Sequence, residues 1–165
     1  MLQHLLKGLG EFMDKEFEIA YFENKQMEMI KKTNEYTSQF GLSLSDSDVR
    51  ELAVRRRESL TEQQRVEFGG GILEKLIFAF CDSDFIFQEN YAATIAELQN
   101  IFYLYKNESM DELTDDELIT VMRDAFNGEC QGSLEYLEET CLEQFARDIR
   151  ANTRKFIGRY KSKDE

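Results

Sequence analysis

The sequence contains no proline, no tryptophan and a single histidine, His4. An interior proline costs a helix about 3 kcal/mol, so its absence leaves long helices permitted. One histidine in the first turn of the chain, distant in sequence from every cysteine, leaves no Ser–His–Asp or Cys–His arrangement to assemble. Three cysteines, Cys81, Cys130 and Cys141, form no CxxC and no short pairing. A zinc site of nitrogen and sulfur ligands is therefore not expected, and the usage fits a reducing cytoplasm. No window approaches the roughly 20 apolar residues that span a bilayer. The opening "MLQHLLKGLGEFMDKEFE" has no basic leader, and its apolar residues are spaced, unlike a secretion signal. Basic residues are outnumbered 20 to 33, giving a net charge of −13. Such a surface repels nucleic acid and anionic membranes, so neither is expected as a partner.

Turning to what is present, 165 residues with 42% hydrophobic content can bury one sizeable core. Phenylalanine and tyrosine supply all of its aromatic rings. Apolar residues recur every three to four positions. Leu2, Leu5, Leu6, Leu9, Phe12 and Met13 mark a first helix, weakened by Gly8 and Gly10, that docks on the protein's own core or on a second copy. "FEIAYFE" reads as helix or short strand. Met27, Ile30 and Phe40 continue a helical pattern that Gly41 ends. Ser45 with Asp48 makes a capping box for a helix burying Leu52, Ala53 and Leu60. "RVEF" reads as a short strand before the Gly69–Gly71 turn. A buried helix then spans about Ile72 to Cys81, with Cys81 as a small buried hydrophobe. "QENYAATIAELQNIFYLYKNES" gives the strongest helix, with Tyr91, Ile95, Leu98, Ile101, Phe102 and Tyr105 as one stripe. Thr114 and Glu117 form a second capping box, followed by Leu118, Val121, Met122 and Ala125. The last helix runs from Ser133 to about Tyr160 on Leu134, Leu137, Cys141, Phe145, Ile149, Phe156 and Tyr160. The expectation is an all-α single-domain bundle of about six helices, with room for one short β pairing. An N-terminal helical arm (1–39) packs on a helical core domain (40–165).

"FNGECQGSLEYLEE" can be laid on a calcium-binding helix–loop–helix. Asn127, Glu129, Gln131 and Glu138 then fall at loop positions 1, 3, 5 and 12, with Gly132 at 6 and Leu134 at 8. These four are the candidate metal ligands. Glu129 and Gln131 are each a methylene too long, and Asn127 is neutral. The helix after position 12 would bury Glu139 and Glu143, whereas the apolar stripe runs elsewhere. The plainer alternative is a bend at Gly128 and Gly132, with Ser133 capping a new helix. A second candidate, "DSDFIFQENYAA", lacks the glycine and the bidentate glutamate.

The acids Glu108, Asp111, Glu112, Asp115, Asp116 and Glu117 could chelate magnesium. Glu112 with Asp115 and Glu135 with Glu138 have the spacing of a magnesium-dependent nucleotide hydrolase. Asp115 and Asp116 are equally explained by the helix dipole. The glycine turn could cradle an anion, but no GK[ST] follows. Arg55, Arg56 and Arg57 point three ways on a helix and are expected to pair with neighbouring acids or to stay solvated. From Arg147 onward seven basic residues face three acidic ones, against 13 and 30 before it, which suits electrostatic docking within the chain or onto another copy.

"LSDSDVRELAVRRRESL", "RVEFGGGILEKLIFAFCDSDF" and "GECQGSLEYLEE" together resemble a family of small acidic bacterial proteins, a domain of unknown function found mainly in Firmicutes, over about Phe40 to Arg150. The resemblance implies a bacterial cytosolic setting and carries no catalytic residue. The reading is a non-catalytic interaction or regulatory module without cofactor, whose partner is another protein or a second copy in a homodimer. The alternative is a carboxylate-based divalent-metal protein.

Overall fold

The computed structural model describes residues 2–67 and 71–161, with the side chains of 2–7, 23–67 and 71–151. Helix α1 spans Leu2–Lys32. It passes through Gly8, Gly10 and "FEIAYFE" without a break, because no proline, cap or turn residue stops it. A turn at Thr33 leads into a short α2, Asn34–Thr37, and a 3₁₀ turn, Ser38–Phe40. Gly41 closes this segment in the left-handed conformation, φ +76°, where a Cβ would be strained. Phe40, which shares the helical pattern of Met27 and Ile30, is 41% exposed.

Helix α3, Asp46–Glu62, starts on the expected capping box: Asp48 N–H donates to Ser45 Oγ, and Ser45 N–H donates to the Asp48 carboxylate. Helix α4 spans Ile72–Phe80, α5 spans Tyr91–Glu108, and α6 spans Asp115–Asn127 on the Thr114–Glu117 box. The last helical run is α7 (Leu134–Tyr136), a π-helical turn (Leu137–Cys141) and α8 (Leu142–Lys161). Phe156 and Tyr160, assigned to its apolar face, lie outside the described side chains.

The protein is therefore all-α, as expected, with one correction. No strand is present among the described residues. "RVEF" has no regular secondary structure up to Glu67 and no neighbouring strand among the described residues, and Phe68 lies outside them. Glu67 is instead drawn inward as a side-chain partner for α3, α4 and α5, as set out below.

Helix α5 sits at the centre, packed against α3, α4, α6 and α8. Its sequence predicts a single stripe, and that stripe is buried. Thr94, Ala96, Gln99 and Tyr103 are buried too, because neighbours enclose the helix on several sides. Ile30, Thr33 and Thr37 are buried, and α1 packs on α3 and α4.

Gln99 is fully buried, and neither its Nε2 nor its Oε1 has a hydrogen-bond partner among the described residues. A buried amide without partners carries a desolvation cost of about 1–3 kcal/mol. Gln99→Met, close in volume and free of polar atoms, is expected to raise unfolding stability by about that amount. The midpoint of thermal unfolding should rise by about 2–4 °C for each kcal/mol. An unchanged or lowered midpoint would show that the amide is satisfied in solution.

Candidate functional site

The junction between α6 and the last helix holds the four metal-ligand candidates. Helix α6 stops where its final carbonyls are taken up by the following turn. Cys130 N–H donates to the Ala125 carbonyl at 2.9 Å, and Gly132 N–H to that of Phe126 at 2.8 Å. Gln131 and Gly132 both have positive φ, +47° and +83°. A Cβ on Gly132 would stand 2.6 Å from Phe85 Cβ, so glycine is required there on two counts. Ser133 Oγ then accepts from Tyr136 N–H at 3.2 Å and starts α7. This is the geometry of a capped bend.

Two of the four candidates are already engaged by protein hydroxyls. Asn127 Oδ1 accepts from Ser83 at 2.5 Å, and Glu129 Oε1 accepts from Tyr136 at 2.9 Å. Gln131 is exposed in the left-handed turn, and Glu138 is half-exposed within the π-helical turn. Among the described residues no group of three or more His, Cys, Asp or Glu side chains is disposed to hold a metal ion. The acids proposed for magnesium are also spread apart. Asp115 pairs with Lys106 at 2.7 Å, Asp116 with Lys75 at 2.9 Å, Asp111 with Arg65 at 3.4 Å and Glu108 with Arg150 at 3.0 Å. Glu117 is held by its capping box. Glu112 lies before the Thr114 cap, outside α6.

Two other charged features are likewise accounted for by structure, while the basic stretch beyond residue 151 lies outside the described side chains. The three arginines diverge as expected: Arg55 reaches Glu97 at 2.8 Å, Arg56 reaches Glu67 at 3.3 Å, and Arg57 Nε reaches Glu23 at 2.8 Å. Gly69 and Gly70 lie outside the described residues. At the start of α4, where an anion could bind, Glu67 Oε1 accepts from Ile72 N–H at 2.8 Å.

The structure brings together one pair that the sequence spacing of eleven residues conceals. Cys130 Sγ and Cys141 Sγ lie 3.4 Å apart as free thiols, and Glu129 Oε2 is 4.0 Å from Cys141 Sγ. Cys130 is buried and Cys141 half-buried. Burial, and then the neighbouring Cys141 thiol, push Cys130 up to about 12; burial first, and then Glu129, raise Cys141. Cys141 is the last residue of the π-helical turn. Tyr105 Oη donates to the Leu137 carbonyl at 2.8 Å where that turn begins, an insertion of the kind that widens a helix. The available signal was Cys141's place on the inward stripe, next to a bend that carries Cys130. The widened turn that sets its phase is not legible in a one-dimensional pattern.

Two apolar features stay on the surface. Leu2, Leu5 and Leu6, one face of α1, are 59–71% exposed. Tyr36 stacks edge-on with Phe40 and with Phe78, centroids 5.8 and 5.5 Å apart, and all three rings remain partly in water. No helix among the described residues is long and apolar enough to cross a membrane.

No curated protein and no solved structure matches the chain. The model of a family of unknown function, DUF6323, matches residues 29–155, which encloses Phe40 to Arg150. By that match, which spans well over half of its length, the chain belongs to the DUF6323 family.

Proposed function

We propose that the protein is a non-catalytic interaction or regulatory module of the bacterial cytoplasm, and that it self-associates through the start of α1. One observation carries this reading: Leu2, Leu5 and Leu6 stand in water at one end of a helix whose other end, at Gln26 and Ile30, is buried. An apolar edge of this kind marks a docking surface. Charge supports a second copy as the occupant. The first ten residues contain one lysine and no acid on a chain of net charge −13. Two copies can therefore meet along this edge while their acidic bodies stay apart. The dispersed carboxylates argue for an adaptor over a metal-dependent hydrolase. The free cysteines and the family resemblance support the cytoplasmic, bacterial setting.

Sedimentation velocity on the full chain tests the proposal. A dimer is expected, and Leu5→Glu with Leu6→Glu should weaken it at least about tenfold, the equivalent of about 1.4 kcal/mol. A strict monomer at high concentration, or a dimer indifferent to the two charges, overturns it.

A further inference from the structure

We propose that Cys130 and Cys141 form a reversible dithiol–disulfide pair, in which their 3.4 Å separation closes into a cross-link between the turn after α6 and the last helix under a peroxide-class oxidant. A disulfide needs the sulfurs at about 2.05 Å, so closure asks for a movement of little more than an ångström. The flanking structure can supply it. Cys130 sits in a turn containing two consecutive residues of positive φ, and Cys141 ends a π-helical turn, a feature that often accompanies functional sites.

The two thiols play unequal parts. Cys141 is the more accessible and meets the oxidant first; Cys130, buried behind it, resolves the product. The Cys141 thiolate attacks one peroxide oxygen, an S–O bond forms, the O–O bond breaks, and the departing hydroxide takes a proton to become water. Cys130, giving up its proton, then attacks the sulfenic sulfur; the S–S bond forms and the S–O bond breaks, releasing a second water. Two thiols lose two electrons and two protons, and one hydrogen peroxide becomes two waters. Cys130 is buried and Cys141 half-buried, so the pair responds to sustained oxidant rather than acting as a fast peroxide scavenger. Cys81 has no such partner: its thiol is buried and donates to the Phe78 carbonyl at 3.6 Å.

The full-length wild-type protein provides the test. After hydrogen peroxide and alkylation, cleavage at glutamates should yield "CQGSLE" linked to "TCLE", two hydrogens lighter than the sum of the free peptides. Cys81→Ser should give the same product, and Cys130→Ser should not. The loop closed is short, so thermal unfolding should rise by about 5–10 °C on oxidation and return on adding dithiothreitol. Cys130 and Cys141 remaining alkylatable after peroxide, or a cross-link found only through Cys81 or between chains, overturns the proposal.

Discussion

Phe126→Ala is expected to lower unfolding stability by about 3–5 kcal/mol, the usual range for emptying a phenylalanine site in a packed core. Phe126 is 1% exposed, and its ring meets Phe80 edge-on at 5.5 Å and Phe85 at 6.2 Å. These three rings join α4, the loop after it and α6. Edge-to-face pairs add about 0.5–1.5 kcal/mol each beyond the area they bury, so the truncation removes shape and ring contact together. The backbone of Phe126 also holds the bend, since its carbonyl accepts from Gly132 N–H, and a repacked core would disturb that bond. A domain of this size holds about 5–15 kcal/mol in total, so the variant should be close to unfolding at physiological temperature. With no tryptophan in the chain, urea unfolding is best followed by far-ultraviolet circular dichroism. Phe126→Leu, which keeps part of the volume but loses both ring contacts, should cost about 1–3 kcal/mol. Equal losses for the two variants would mean that the aromatic cluster is not a tightly packed element.

Much of this core was legible because its causes are local. Ser45–Asp48 and Thr114–Glu117 satisfy orphan N–H groups within four residues, so sequence alone identifies both starts. Gly41 supplies a left-handed residue and ends its segment for the same local reason. What was missed depends on tertiary company. "FEIAYFE" offers a strand as readily as a helix, and the continuing helix on either side decides it. Tyr103 and Gln99 fall off the expected stripe of α5, yet are buried because α5 is enclosed. The Cys130–Cys141 approach combines a turn, a helix phase and the Tyr105–Leu137 hydrogen bond. The partner of Tyr105 is 32 residues away in sequence, and no periodicity reports it.

Glu67→Ala should cost a comparable amount for a different reason. Glu67 stands in the "RVEF" segment that reads as a strand, yet it joins three elements. Its Oε1 accepts from Ile72 N–H at the start of α4; its Oε2 accepts from Tyr103 Oη of α5 and, at 3.3 Å, from Arg56 Nε of α3. Arg56 is 7% exposed and Tyr103 2%. Removing the carboxylate leaves a cation in the interior without this counter-charge, and such breaks cost about 3–5 kcal/mol. The exposed Lys75–Asp116 pair, by contrast, should be worth under about 1 kcal/mol. Glu67→Gln keeps the shape and part of the hydrogen bonding, so it should lose about 1.5–3 kcal/mol, the range for a bond to a charged group. The same network gives a pH signature. Burial, and then the Glu67 carboxylate, push the Tyr103 phenol well above its ordinary value of 10.0. A phenol held neutral in the fold but free to ionise when unfolded contributes stability that is whole below pH 10 and drains away above it. Wild-type stability should therefore fall more steeply above pH 10 than that of Tyr103→Phe. Urea midpoints measured across that range decide the matter: parallel curves, or a Glu67→Ala loss under about 1 kcal/mol, would mean that Arg56 and Tyr103 are satisfied by water rather than by Glu67.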